Sequence, residues 1–257
     1  MSACGRSDHV TLLRHAIARI EAGARPPASS RATLGSGLDA ALGGGLARDA
    51  LHEIAPARPG DGAAACGFAL ALAARLAGAR GSVIWILEDF AMLEGGAPYG
   101  PGLAALGIDP ARLVLVRAPR PQDALQALEE ALKSRAGVAV GEIFRPLDLA
   151  ASRRLALAAR AGGVPGLLLG SAAAAQTRLE IAGAASAREA SAGDRLPIPG
   201  PAAFAVRILK CRGGAAPDRD RRHLVSFDPE QGGFRDAHPL PAPAPPAHRP
   251  ADARARA

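Results

Sequence analysis

The residues that come nearest to a known chemistry form a glycine-rich turn between a strand and a helix. An apolar stretch, Ala50–Ile54, leads into the turn Ala57–Gly62, and an apolar helix is predicted from Ala63 onward. This is the context of the phosphate-binding loop G-x-x-x-x-G-K-[ST], whose lysine meets the β- and γ-phosphates and whose hydroxyl holds Mg²⁺. Here Gly62 is followed by Ala63 and Ala64, and an alanine begins the turn where the first glycine belongs. The sequence therefore predicts the scaffold of a nucleotide site without its chemistry.

An anion could still meet the backbone of this turn. Gly60 and Gly62, together with the amides of residues 61–64, would lie at the N-terminus of the helix, where backbone N–H groups attract negative charge. Asp61 places a carboxylate where phosphates would sit, and no lysine offsets it. We therefore expect no cofactor, and ATP is the less favoured alternative. The simpler interpretation is that the turn is retained because the fold needs it.

Two acidic residues follow predicted strands. Glu88 comes directly after Val83–Leu87, and Glu142 comes directly after Val138–Gly141. The carboxyl ends of parallel strands meet at one edge of a sheet, which is where ligands of open α/β sheets bind. In phosphate-binding-loop enzymes an acid at the second position holds Mg²⁺. With the loop lysine missing, a vestigial pair is the interpretation we favour over a working site.

The remaining reactive residues form no recognisable motif. The three cysteines are far apart, and the histidines lack ligand spacing, so neither a disulfide framework nor a metal site is predicted. Arg153, Arg154 and Arg160 lie on one predicted helix, where they would contact phosphate or simply form its solvated side. No acyl-transfer triad is indicated.

Charge and composition limit the classes of protein. The 257 residues carry a formal net charge of +7, and Lys133 and Lys210 are the only lysines, so arginine supplies nearly all the positive charge. Such a balance favours anionic partners such as nucleic acid, and a GC-rich genome explains it equally well. The sequence starts without an apolar signal region and shows no long apolar run, so we expect a cytoplasmic protein that does not enter a membrane.

The pattern along the chain predicts an α/β fold. An amphipathic helix over residues 8–22 and a Pro/Gly/Ser-rich linker over 23–33 precede a core, 34–236, in which apolar strands alternate with helices. Such alternation is typical of a mostly parallel sheet with helices on both faces. Two later strands, Ala203–Lys210 and Arg222–Phe227, are predicted as a hairpin or sheet edge, and the Pro/Ala/Arg-rich tail 237–257 as disordered.

Several segments resemble known families. LGSGLDAALGGGLARDALHEI (34–54) resembles the segment that precedes the first core strand of the RecA recombinases. VGEIFRPLDLAASRRLALAARAGGVPGLLL (140–169) and the strand with Gly213-Gly214 resemble the ImuA family, the RecA-like members of a damage-inducible mutagenesis cassette. The likeness covers about residues 33–236. It implies a RecA-like mostly parallel sheet flanked by helices, with added C-terminal strands.

The resemblance also implies a function. ImuA proteins are thought to act in SOS mutagenesis and translesion synthesis as accessory proteins, with ImuB, an inactive Y-family polymerase homologue, and an error-prone C-family polymerase. RecA is a further candidate partner, and nucleic acid binding would be weak. Glu88 matches the glutamate that activates water in RecA, which has no task without bound ATP.

The N-terminal helix is predicted to dock on a partner through Leu13 and Ile17, as the N-terminal helix of RecA-like filaments packs on a neighbouring protomer. Folding back onto its own core is the alternative that the pattern alone favours. Two other functions stay open: a DNA-dependent ATPase, against which the loop chemistry argues, and a SulA-type cell-division inhibitor. SulA-type chains are shorter and lack the long SRRL segment and the basic tail.

Overall fold

The computed structural model describes residues 31–78, 81–186, 188–189, 198–214 and 218–237. The strands, in chain order, are β1 (Arg31–Ala32), β2 (Leu46–Ala47), β3 (Leu51–Pro56), β4 (Val83–Glu88), β5 (Leu113–Ala118), β6 (Val138–Glu142), β7 (Gly166–Leu169), β8 (Thr177–Ala184), β9 (Arg188–Glu189), β10 (Ile198–Pro199), β11 (Ala203–Cys211), β12 (Arg222–Asp228) and β13 (Gly233–Asp236). The helices are α1 (Leu38–Ala41), α2 (Gly62–Ala77), α3 (Asp89–Gly95), α4 (Gly100–Ala105), α5 (Pro121–Lys133) and α6 (Leu149–Gly162), with short 3₁₀ helices at Pro59–Asp61 and Pro110–Arg112.

One large sheet dominates the fold. Its nine strands lie in the order β13-β12-β11-β8-β3-β7-β6-β4-β5. The strands from β8 to β5 are parallel to one another, whereas β11, β12 and β13 are joined to β8 in antiparallel fashion. The protein therefore has the RecA-like α/β fold, a mostly parallel sheet flanked by helices, and the predicted C-terminal strands extend it at one edge.

Helices cover the two faces of this sheet unequally. On one face α2 buries Phe68 and Leu72 against residues drawn from most of the strands, among them Val140 of β6 and Val206 of β11. On the other face α5 and α6 pack over the strands on the β5 side, where Leu128 and other residues join a second core. Among the described residues no helix covers this second face over the β11–β13 extension. That half of the sheet is consequently apolar on one side only.

The glycine-rich segment before β3 is explained by two local features. The Asp39 carboxylate accepts hydrogen bonds from the backbone N–H groups of Leu34 (2.6 Å) and Gly35 (3.0 Å), which fixes the chain as it enters α1. Gly45 has φ +101°, and a Cβ there would collide with the carbonyl of Ala32 in β1. A side chain is therefore excluded at this turn by both conformation and space.

Several sequence predictions gain precision or fail. Arg31–Ala32, at the end of the predicted linker, form β1, whereas the predicted helix 8–22 and the tail beyond residue 237 lie outside the described residues. The helical pattern over residues 147–161 predicts Leu149, Leu155 and Leu157 as apolar anchors. Leu155 is buried, whereas Leu149 and Leu157 are 50% and 66% exposed, so the prediction was wrong for those two. The helix has Leu155 and small alanines on its buried face instead, because it packs closely on the sheet and α5.

One helical segment within the described ranges, Pro59–Ala77, is long and apolar enough to cross a membrane by length and composition. In this fold it is α2 with the 3₁₀ turn before it, and Phe68, Leu72 and Leu76 are buried in the core. Core helices of globular proteins share this composition.

Candidate functional site

The turn between β3 and α2 is compact. After β3 ends at Pro56, a 3₁₀ helix over Pro59–Asp61 runs directly into α2, and Gly62 already has helical angles (φ −55°, ψ −46°). None of the residues between β3 and α2 has a positive φ angle. A backbone nest that cradles an anion alternates right- and left-handed conformations. The turn therefore offers exposed amides at a helix N-terminus rather than a wrapped phosphate cradle.

Asp61 occupies the mouth of this turn. Its carboxylate accepts a hydrogen bond from the backbone N–H of Gly183 in β8 (3.2 Å), which ties the turn to the neighbouring strand. Gly60, Gly62 and Ala63 are exposed, while Ala64 is half-buried. The negative charge that the N-terminus of α2 attracts is thus already supplied by the protein. A bound phosphate would meet this carboxylate without a lysine to offset it.

Glu88 and Glu142 lie at the carboxyl ends of the adjacent parallel strands β4 and β6. Leu87 of β4 stands opposite Glu142 of β6, so Glu88 lies one step beyond it. Burial raises the pKa of Glu88, against the opposing effects of the Phe144 backbone N–H and of Arg145. Burial also raises the pKa of Glu142, and the charge of Glu88 adds to that shift. Both carboxyls therefore bind protons more strongly than free glutamate does.

The environment of these acids is poor for holding a cation. Glu88 is 6% exposed, and its Oε1 atom has no hydrogen-bond partner in the described part of the protein. Cys66 lies in the first turns of α2. Burial, and to a lesser extent the charge of the Glu142 carboxylate, raise the pKa of the Cys66 thiol to about 12. Within the ranges described, no group of three His, Cys, Asp or Glu side chains is arranged to hold a metal ion.

The three arginines of α6 have different surroundings. Arg153 and Arg160 are exposed on the outer side of the helix. Arg154 forms an ion pair with Glu129 of α5 at 2.6 Å, which bridges the two helices. Arg154 therefore has a structural partner, whereas Arg153 and Arg160 form no ion pair with any residue that the structure describes. Leu13 and Ile17, the predicted docking residues, lie outside the described residues.

An exposed apolar patch, which the sequence analysis did not identify, borders the two glutamates. Phe90 of α3 is 53% exposed and Phe144, which follows β6, is 50% exposed. Their rings meet edge to face with centroids 5.1 Å apart, and Leu93, one helical turn beyond Phe90, is 82% exposed. We call Phe90, Leu93 and Phe144 the rim patch. The sequence does contain a pattern that indicates this patch: each phenylalanine lies two residues after the glutamate that follows a predicted strand.

The order of the strands, with helices on both faces of a mostly parallel sheet, defines the class: this is a RecA-like α/β protein. No protein-family model matches the chain. It is 33% identical, over 217 aligned residues, to Protein ImuA of Caulobacter vibrioides strain NA1000 / CB15N, covering 76% of this chain and 84% of the relative. Protein ImuA of strain ATCC 19089 of the same species matches equally. The chain belongs to the ImuA family.

Proposed function

We propose that this chain is a non-catalytic accessory protein of SOS-induced mutagenesis and translesion DNA synthesis, which uses a RecA-like domain as an interaction module. The observation that carries the proposal is membership of the ImuA family together with the composition of the β3–α2 turn. Ala63 and Ala64 remove the groups that bind phosphate and Mg²⁺, and Asp61 adds a carboxylate. The sheet is kept while the chemistry at its edge is lost.

The loss of the loop residues weighs heavily against the rival function, a DNA-dependent ATPase. Phosphoryl transfer depends on positioned positive charge around the γ-phosphate. Here the nearest acids, Glu88 and Glu142, have raised pKa values because they are buried, and the turn in front of them carries Asp61. A triphosphate at this turn would meet the Asp61 carboxylate and would lack the loop lysine.

ATP turnover is therefore the first test. We expect the purified protein to hydrolyse ATP negligibly, with or without single-stranded DNA, in a coupled or radiolabel assay. Glu88→Gln serves as the matched variant, because it keeps the size of the side chain and removes its charge. Hydrolysis within tenfold of an ordinary RecA-type ATPase, abolished by Glu88→Gln, would overturn the proposal in favour of the enzyme.

The partners we propose are an ImuB-like inactive Y-family polymerase and an error-prone C-family polymerase, with RecA as a third candidate, in the cytoplasm and away from membranes. The rim patch supports an interaction role, since exposed aromatic and aliphatic groups that lie together commonly mark protein contacts. Phe90 and Leu93 on α3 project from the edge of the sheet at which ligands of this class of fold bind.

Co-purification tests the interaction role. The tagged protein would be isolated from cells of its own source after DNA damage, and the polymerase-like proteins that accompany it would be quantified by mass spectrometry. We expect Phe90→Ser with Leu93→Ser to lower their recovery at least tenfold. Leu157→Ser is the control, because Leu157 is similarly exposed (66%) but lies on α6. Failure of the wild-type protein to enrich either polymerase-like protein would contradict the proposal.

A further inference from the structure

The antiparallel extension of the sheet leaves one of its faces without a covering helix among the described residues. Strand alternation sends Leu179, Val206 and Phe227 into the core beneath α2. The residues between them face the other way, and apart from Leu224 those that the strand pairing places there are polar or small. Within the described ranges, packing against a helix does not account for the composition of this second side.

Cations dominate that side. We call the following five residues the basic sheet face: Arg178 on β8, Arg207 and Lys210 on β11, Arg222 on β12 and Arg235 on β13.

The acidic side chains on this side are less exposed to solvent than the arginine side chains that pair with them. The side-chain exposures are 36% for Arg178 against 4% for Glu53, at an N···O distance of 2.9 Å. They are 31% for Arg207 against 21% for Glu180 at 3.3 Å. The difference is widest in the third pair, where the side chain of Arg235 is 54% exposed and that of its partner Asp228 is 8% exposed. The negative charge is thus held below, and the guanidinium groups are what solvent meets.

Like charges are directly opposed across two of the strand pairs. Arg178 stands opposite Lys210, and Arg207 stands opposite Arg222. Such pairs destabilise a sheet. Neither Lys210 nor Arg222 has an acidic ion-pair partner in the described part of the chain, and the Lys210 ammonium donates instead to the Ala173 carbonyl at 2.8 Å.

Neighbouring positive charges also act on the pKa of this lysine. Burial lowers the pKa of Lys210, and the charges of Arg212 and Arg178 lower it further, against a smaller opposing effect of Glu53. An anion placed over the face would relieve this repulsion. Unlike the arginines opposite them, Lys210 and Arg222 pair with no acid in the described part of the chain, and a negatively charged ligand would supply the missing partner.

We propose that the basic sheet face binds the phosphodiester backbone of duplex nucleic acid without reading its sequence. Neighbouring strands are about 4.8 Å apart, so the cations from β8 to β13 span about 14 Å, close to the width of a major groove flanked by phosphates. Arginine forks match phosphate oxygens. The outward positions between the cations, such as Ala182, Ala205 and Leu224, carry no aromatic ring on which an unpaired base would stack. The spacing of the cations and the lack of aromatic rings at these positions together favour contact with the phosphate backbone of a duplex.

The test is a salt titration of binding to a fluorescein-labelled 25-base-pair duplex, followed by anisotropy. Five phosphate contacts give a slope of log K against log salt of about −4.5, which is about a 500-fold loss of affinity from 50 to 200 mM salt. Lys210→Gln with Arg222→Gln should reduce the slope by about 2, which leaves about a 40-fold loss. These two positions are chosen because their replacement leaves no buried carboxylate without its partner.

Two controls make the result specific. Arg117→Gln with Arg120→Gln removes the same charge at the opposite edge of the sheet, on and just after β5, and should leave the slope unchanged. The Lys210/Arg222 variant should melt at or above the temperature of the wild-type protein, because like-charge contacts have been removed, so that lost binding is not lost folding. Both controls are independent of the proposed role in mutagenesis, since they need neither polymerase nor DNA damage.

The proposal is overturned if the wild-type protein fails to bind the duplex at 50 mM salt, or if the Lys210/Arg222 variant keeps the wild-type slope. Tighter binding to a single strand of equal length contradicts the backbone-only mode. If Arg153→Gln with Arg160→Gln lowers the slope while the sheet variant does not, the nucleic acid lies on α6 instead. Competition by an acidic polypeptide at equal charge, but not by duplex, would assign the face to a protein.

Discussion

Removal of Arg178 is expected to destabilise the fold through the carboxylate that it leaves behind. The Glu53 side chain is 4% exposed in the middle of the sheet, and its Oε1 atom is 2.9 Å from the Arg178 Nε atom. Breaking a buried ion pair from one side generally costs about 3–5 kcal/mol, because the remaining charge is buried without compensation.

Two features of the structure lower that figure here. Arg178 is 36% exposed, so solvent screens part of the interaction. Glu53 also keeps a hydrogen bond from the Ala172 backbone N–H at 3.1 Å, and Lys210 is near enough to interact with it. We therefore expect Arg178→Met to lower the free energy of unfolding by about 2–3 kcal/mol. For a domain of this size the melting temperature should fall by about 5–10 °C.

A double-mutant cycle tests the reasoning. Urea unfolding at pH 7 and constant salt would be measured for Arg178→Met, Glu53→Gln and the double variant. Since the double variant buries no unpaired charge, we expect it within about 1 kcal/mol of the wild type. The two single losses would then not add. Additive losses, or a harmless Arg178→Met, would show that Glu53 is solvated and that the acids do not lie beneath the arginines as described.

Two further predictions concern the core. Burial lowers the pKa of His52 to about 4, while its Nε2 atom donates to the Ala47 carbonyl at 2.8 Å. Between about pH 6.5 and pH 4 the His52 side chain is protonated in the unfolded chain and neutral in the folded chain. The free energy of unfolding should therefore fall by about 3 kcal/mol in total as the pH drops through that range. Urea titrations of His52→Gln across that range should lack this contribution, and an equal acid sensitivity would refute it. Phe68→Ala should cost about 4 kcal/mol, because the ring is fully buried against Phe204 and Phe234 at centroid distances of 5.4 and 5.0 Å; unchanged unfolding by urea would mean that β11 and β13 do not share the α2 core.

The sequence was sufficient for the parallel half of the sheet. The strands at residues 83–87, 113–116 and 167–169 are short, apolar and separated by helical patterns, and each is found within two residues of its predicted bounds. Parallel strands inside a sheet are buried on both faces, so the apolar runs at 83–87 and 167–169 are continuous and easily read. The strand at 113–116 lies at the sheet edge and is apolar although Val114 and Leu115 are 51% and 39% exposed. The placement of Glu88 and Glu142 side by side follows from the same rule.

The antiparallel extension was only partly predictable. Strand β8 was missed because it has a helix on one face only, so that TRLEIAGA alternates Leu179 and Ile181 with charged residues and small ones. Strand β13 is four residues long, and Phe234 alone carries its contact with the core. Neither apolar pattern is long enough to predict a strand, because glycines and charged residues surround it.

What the sequence determined by itself was the family, since the glycine-rich segment and the residues of the turn, Ala63 and Ala64 among them, can be read without coordinates. What only the tertiary structure decided was which residues share a surface. Arg178, Lys210 and Arg222 are as far as 44 residues apart in the chain, and strand pairing alone brings them together. The same is true of Phe90 and Phe144. Local residue types fix local chemistry, whereas a surface depends on strand order and register, which arise from long-range pairing that no short segment encodes.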